Sequence, residues 1–413
     1  MKRNYLVSLF LMMMFCPINI YAQEFNRYFS DATLRLDYIF AGNTEHQSIY
    51  LNRLNKLPRW YGKRKNLTEV PMEGYGQIIV REHSSQQIIY RNSFSTLFQE
   101  WLSYDEAKSQ HKSFENVLLI PMPNDTVDVT VELYNNRREV MTQMEHQVIP
   151  SDILIRNIGN KPTPYDTLVK APDPDHAINI AFVAEGYTNE EMSIFINDCN
   201  TAIDAIFEHE PFKSAKSGFN IVAVKSSSID SGTSEPGNGI WRNTVLGSHF
   251  NTFYSDRYLT TLNLFALHDV LAGTPYEHII VLVNTGKYGG GGILNSYNLS
   301  MAHHRLTRPV VVHEFGHSFA GLADEYGYEY EQIPMYPHDI EPWEPNITTL
   351  VDFHGKWENM MGHNGVGLNE GAGYSPKGLY RPCKDCRMRT NETPDFCPVC
   401  QHILKKVIDF YTK

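Results

Sequence analysis

Hydrophobic and polar positions follow one rule from residue 23 to 158 and another from 176 onward. In the first stretch the period is two. Leu34, Leu36, Tyr38 and Phe40 alternate with Arg35, Asp37 and Ile39, which predicts a mostly one-sided strand. Val127, Val129, Val131 and Leu133 alternate more cleanly with Asp128, Thr130 and Glu132. Gln77-Ile-Ile-Val80 and Gln87-Ile-Ile-Tyr90 flank His83-Ser-Ser-Gln86, the pattern of a hairpin. Short strands at this spacing predict an antiparallel β-sandwich over 23–158. Nothing in it forms a catalytic constellation, so its expected work is support or substrate docking.

The stretch 159–175 is rich in proline and polar residues, from Gly159-Asn-Lys-Pro162-Thr-Pro164 to Ala171-Pro172-Asp-Pro174, and reads as a linker. Beyond it strands and helices alternate. Ile178-Asn-Ile-Ala-Phe-Val183 predicts a buried strand, and Thr188-Asn-Glu-Glu191 is a capping box. Met192, Phe195, Ile196, Cys199, Ile203 and Ile206 follow at helical spacing. Residues 219–224 and 277–283 are further strands, with a helix expected over 259–271. The alternation predicts an α/β domain over 176–413 with a mostly parallel twisted sheet. As a whole the chain reads as a two-domain α+β protein.

The first 22 residues have the pattern of an export signal. Lys2 and Arg3 precede an apolar run from Tyr5 to Phe15, and Ile20-Tyr21-Ala22 offers a cleavage site. Cys16 raises lipid anchoring, but bulky Phe15 argues for simple export. The protein is therefore expected to be secreted, periplasmic or on the cell surface. Removing 1–22 takes two basic residues and no acidic one, moving the formal charge from −11 to −13. That balance argues against nucleic acid as a partner. No later segment has the length and apolarity for membrane insertion. A protein or peptide substrate is the expected partner; the sequence leaves the oligomeric state open.

Chemistry concentrates in His313-Glu314-Phe-Gly-His317. Residues four apart share a helix face, so His313 and His317 can offer two imidazole nitrogens to one ion. Glu314 sits beside them, placed to act as general base towards an activated water. Val310, Val311 and Val312 lead in as for a helix buried against a sheet. Gly321 offers a helix end, and Asp324 is the next hard ligand in sequence. One catalytic Zn2+ is expected.

Two other features carry possible chemistry. Cys383-x-x-Cys386 and Cys397-x-x-Cys400 have zinc-ribbon spacing, yet in an exported protein disulfides compete. Either would be a structural staple, and both stay open at this point. The run Lys287-Tyr-Gly289-Gly290-Gly291-Gly292 lacks the lysine and hydroxyl residue of a phosphate loop. It reads as an edge strand for an extended substrate or as a surface loop.

His313-Glu-Phe-Gly-His317-Ser-Phe-Ala-Gly-Leu-Ala-Asp324-Glu-Tyr326 resembles the signature of the secreted bacterial IgA-peptidase family of zinc metallopeptidases. Tyr380-Arg-Pro-Cys383-Lys-Asp-Cys386-Arg-Met388-Arg and Phe396-Cys-Pro-Val-Cys400 resemble its C-terminal portion. The resemblance implies a zinc endopeptidase with a metzincin-like catalytic domain, acting on immunoglobulin A or other host glycoproteins. Metzincins place a third histidine after H-E-x-x-H-x-x-G; here the glycine falls one residue later and position 323 is alanine. The third ligand is then Asp324, with adjacent Glu325 or a distant glutamate as alternatives. Met388, rather than Met361, best resembles the methionine turn beneath a metzincin metal. Tyr326, Tyr374 and Tyr380 are unranked candidates to assist an oxyanion. Two rivals are a secreted glycan- or protein-binding protein with a non-catalytic metal site, and an amidase acting on cell-wall peptides.

Overall fold

The computed structural model describes residues 25–328 and 335–413, so the export signal and Cys16 lie outside the described residues. The first part contains β1 (Phe29–Gly42), β2 (Gln47–Leu57), β3 (Gly76–Glu82), β4 (Ile88–Phe94), β5 (Lys112–Pro123), β6 (Val127–Tyr134), β7 (Val140–Val148) and β8 (Arg156–Asn157). They form two four-stranded sheets, β5-β1-β2-β8 and β4-β3-β6-β7. All pairings are antiparallel except the short β2–β8 contact. Leu34, Leu36, Tyr38 and Phe40 from one sheet and Val127, Val129, Val131 and Leu133 from the other are buried in one core. A short helix, α1 (Leu97–Trp101), lies between β4 and β5 and is capped by Thr96.

β1 departs from the one-sided reading, because Arg35 and Asp37 are fully buried on its other face. That face is covered by the second part of the chain. Arg35 bonds Asp37 at 2.6 Å, Asp269 at 2.6 Å and the Phe265 carbonyl at 3.1 Å. The charges are internal because they pair across the junction.

The stretch expected as a linker is not one throughout. It contributes β9 (Tyr165–Val169), the edge strand of a six-stranded sheet. The sheet continues with β10 (Ile178–Glu185), β11 (Phe219–Val224), β12 (His278–Val283), β13 (Gly290–Ile293) and β14 (Tyr297–Met301), in the order β13-β14-β12-β10-β11-β9. The inner pairs are parallel and both edge pairs antiparallel. Half-exposed and flanked by prolines, β9 lacks the apolar run that marks an inner strand. A final hairpin joins β15 (Asn369–Ala372) and β16 (Ser375–Arg381).

A parallel sheet needs cover on both faces. Ile180, Phe182 and Ala184 belong to a core shared with α2 (Met192–Glu208), α4 (Thr307–Ala320) and α5 (Pro398–Thr412). Ala181 and Val183, between them, belong to the core of the N-terminal sheets. The N-terminal part thus serves as the missing layer, with α3 (Leu264–Val270) at the junction. That helix starts later than 259 because Leu259 donates its N–H to the Gly290 carbonyl and Thr260 pairs with His249. Among the described residues no helix is long and apolar enough to cross a membrane.

Candidate metal centre

Helix α4 is buried around most of its circumference, with Val310, Val311, Val312, Phe315 and Phe319 inaccessible. Gly316 admits a close neighbour: a Cβ there would stand 2.8 Å from the Met388 sulfur. The helix ends at Gly321, whose φ of +59° suits glycine, and Leu322 N–H caps the Gly316 carbonyl at 3.3 Å. This reversal returns Asp324 to the face that carries both histidines.

His313 Nε2 and His317 Nε2 lie 3.0 Å apart, and Asp324 Oδ1 is 3.0 Å from the first and 3.3 Å from the second. A tetrahedral shell with donors about 2.0–2.1 Å from zinc sets them about 3.3 Å from one another. The far sides of the rings are tied: His313 Nδ1 faces the Arg387 carbonyl at 3.0 Å and His317 Nδ1 the Leu322 carbonyl. Carbonyls accept only, so each Nδ1 carries the proton and each Nε2 points a lone pair inward. Buried Asp324 Oδ1 has no hydrogen-bond donor of its own. Three acceptor atoms therefore converge, an arrangement suited to a cation. Burial disfavours charge on His317, but the Asp324 carboxylate outweighs this and pushes the imidazole up to about 9, so a proton competes for the same inward position and a metal ion binds there by displacing it. Burial likewise opposes ionisation of Asp324, and the imidazoles hold it well below the ordinary carboxylate range.

Asn346 fixes the backbone on both sides of Asp324. Its amide takes the Ala323 N–H at 2.7 Å, returns a bond to the Ala323 carbonyl at 2.9 Å and donates to Glu325 Oε1 at 3.0 Å. Glu325, the alternative third ligand, thereby turns away from the histidines towards Cys400 at 3.1 Å.

Glu314 lies beside the cluster, its carboxyl raised by burial and drawn back by the two imidazoles. The glycine run explains how it fits. β13 is an edge strand against α4, where a Cβ on Gly290 would come within 2.6 Å of Glu314 Oε1. One on Gly292 would come within 2.4 Å of the Glu314 carbonyl oxygen. Gly291 faces the other way, towards Tyr258 and Leu259. The glycines thus bring the strand edge directly alongside the base.

The β15–β16 hairpin supplies Tyr374. Gly373 and Tyr374 both have positive φ, +54° and +62°, as in a two-residue primed turn. Gly373 N–H bonds the Asp324 carbonyl at 2.9 Å and Tyr374 N–H that of Tyr326 at 3.0 Å. The Tyr374 hydroxyl donates to Asp324 Oδ2. Tyr326 lines the cleft against Tyr374, whereas Tyr380 sits on β16 with its backbone paired to Thr348.

A cavity of about 590 Å³ opens over these groups, lined by residues of both parts of the chain. From α1 comes Glu100, which accepts from the Tyr258 hydroxyl and whose carboxyl burial pushes up to about 7. Glu100 was not among the sequence-derived candidates, since nothing local to it signals a cleft 200 residues away in the chain.

Met388 is fully buried in a turn where Arg389 N–H bonds the Cys386 carbonyl at 2.8 Å, directly beneath α4. Met361 is only partly buried at the margin of the same core. Cys383, Cys386, Cys397 and Cys400 gather below this turn, with no disulfide among them.

Two family models match the chain. The one described as IgA Peptidase M64 covers residues 167–366 and 361–408, and the one described as Peptidase M64 N-terminus covers 24–145. The chain belongs to the IgA peptidase M64 family, and so to a class of peptidases that act on protein or peptide substrates. No curated protein matches it.

Proposed function

We propose that the protein is an exported zinc endopeptidase in which His313, His317 and Asp324 hold the ion and Glu314 is the general base. The observation that carries this reading is the convergence of three inward-facing acceptors 3.0–3.3 Å apart beside a buried carboxyl. Zinc held there supplies Lewis acidity, bringing water ionisation down to about pH 7 and polarising the scissile carbonyl.

The chain's own groups do the rest. Glu314 takes a proton from the attacking water on a carboxylate oxygen and returns it to the leaving amine nitrogen. The edge of β13 beyond Gly290, whose carbonyl already accepts from Leu259 N–H, receives the extended substrate backbone, with Gly290 and Gly292 leaving room for Glu314 beside it. Tyr374 holds Asp324 in place. Tyr326 is the better placed of the remaining tyrosines to meet developing charge, because it lines the cleft.

The substrate proposed is immunoglobulin A or another host glycoprotein, a reading that rests on the family. A cavity of about 590 Å³ open to both parts of the chain favours an extended polypeptide over the short stem of a cell-wall amidase substrate. The test is incubation with intact immunoglobulin A, unrelated glycoproteins and a denatured protein mixture, with cut sites read by mass spectrometry. Chelator-sensitive cleavage at internal peptide bonds agrees with the proposal. Release of terminal residues alone, or hydrolysis confined to cell-wall peptides, overturns it.

A further inference from the structure

Residues between β16 and α5 form neither strand nor helix, yet Cys383, Cys386, Arg387, Met388, Phe396 and Cys397 among them are buried. This segment carries Arg387, whose carbonyl orients His313, and Met388, which packs under Gly316. Backbone bonds from Arg387, Arg389 and Thr390 and the Arg387 guanidinium on the Thr390, Asn391 and Pro394 carbonyls close this loop on itself, and its two ends meet at the cysteines.

The four cysteines are placed to join those ends. Cys383 and Cys386 follow β16; Cys397 caps the N-terminus of α5 and Cys400 lies in its first turn. The Cys397 thiol contacts those of Cys383, Cys386 and Cys400. Sulfurs of Cys386, Cys397 and Cys400 and a Glu325 oxygen all lie within 4.8 Å of one another, while Cys383 stands outside that group, beside Cys397 and with its sulfur 3.6 Å from the Gly365 carbonyl, one rotamer change from joining it. Two backbone N–H groups donate to sulfur, Cys397 to Cys386 at 3.2 Å and Cys400 to Cys397 at 3.5 Å. Such bonds suit sulfur as an anionic acceptor, and thiols are too weak as donors to satisfy one another. Glu325 adds a second, independent observation. It is fully buried against Cys400, and its Oε2 has no hydrogen-bond partner. A cation among the sulfurs supplies the positive charge that this pocket of acceptors lacks.

We infer a second metal site, held by the thiolates of Cys383, Cys386, Cys397 and Cys400 and specific for a thiophilic divalent cation such as zinc. Glu325, whose oxygen lies in the same group 3.1 Å from the Cys400 sulfur, borders the shell and balances its charge without being required as a ligand. Two Cys-x-x-Cys pairs with four sulfurs and no open position make a closed, structural site. Its work is to staple β16 to α5 and hold the Cys386–Met388 turn. Through the Arg387 carbonyl on His313 and the Met388 carbonyl on Glu325 N–H at 2.8 Å, that turn orients two segments of the first site. The second ion is therefore a positioning element for the first.

The test uses the full chain, exported and purified without reductant in the presence of zinc, and counts metal by elemental analysis and native mass spectrometry. Wild type is expected to hold two zinc ions, and His313→Ala/His317→Ala to keep one. Glu325→Gln should keep both. In wild type, graded chelation should expose four reactive thiols together with release of one ion. Cys397→Ser/Cys400→Ser should lose that ion and weaken the remaining one by about tenfold or more, the scale of losing support behind a ligand. Should that variant fail to fold, the thiol-release stoichiometry of wild type decides alone. A single ion abolished by the histidine changes overturns the inference, as does a mass showing two disulfides in the protein purified without reductant. Either can occur while peptidase activity is intact, so the two readings fail separately.

Discussion

The Tyr374 hydroxyl donates to Oδ2 of Asp324, the carboxylate whose Oδ1 faces both imidazoles. The contact spans fifty residues and comes from a side chain whose backbone is held at φ +62°. A tyrosine in that left-handed conformation is costly, by about 1–3 kcal/mol, and persists only where its surroundings enforce it. Tyr374→Phe removes the hydroxyl and keeps the ring. Zinc affinity, measured by chelator competition, should fall by about 10–100-fold. Unchanged affinity would show the contact to be incidental.

Gly290 and Gly292 should respond differently to a methyl group. Gly290→Ala pushes on the end of the Glu314 side chain, so the expected result is a lower kcat with zinc retained and little change in Tm. Gly292→Ala meets the Glu314 backbone at 2.4 Å, where nothing can rotate away. It should cost about 1–3 kcal/mol in denaturant unfolding, as overpacking does. Equal behaviour of the two variants would contradict this account of the glycine run.

Arg35 ties the N-terminal sheets to α3 from a fully buried position. Its removal leaves Asp37 buried with less compensation. Arg35→Ala should destabilise the protein by about 3–5 kcal/mol. A loss below about 1 kcal/mol in urea unfolding would mean that the junction does not depend on this group.

His278 supplies a pH dependence away from the metal centre. It is buried between Phe319 and Tyr411, and burial lowers its imidazole from 6.5 to about 3. The unfolded chain therefore binds a proton that the folded chain refuses between those values. The associated stability is fully present above pH 6.5 and is lost as pH falls towards 3. His278→Phe should flatten the unfolding free energy across that window and leave it similar at pH 7.5. An unchanged slope would show that another group sets the acid limb.

Much of the catalytic framework can be read in sequence because its reasons are local. β10, β11 and β12 are continuous apolar runs since both their faces are covered, and α4 announces itself by its valines and its glycine stop. Asp324 follows that stop by three residues, so the histidine cluster is nearly contiguous. The parts that escaped depend on distant contacts. Arg35 and Asp37 look solvent-facing until α3 is seen to cover them. β9 hides among prolines, because an edge strand needs no strong apolar pattern. Glu100 meets Tyr258 across 158 residues, a relation no periodicity carries.

The most direct test of the central claim compares wild type with Glu314→Gln for zinc content and for cleavage of a denatured, labelled protein mixture. Loss of a general base costs about 10²–10⁴-fold in rate. The account predicts equal zinc at the histidine site in both proteins, with cleavage reduced on that scale only in the variant. Undiminished cleavage by Glu314→Gln, or no zinc in wild type after reconstitution, would contradict it.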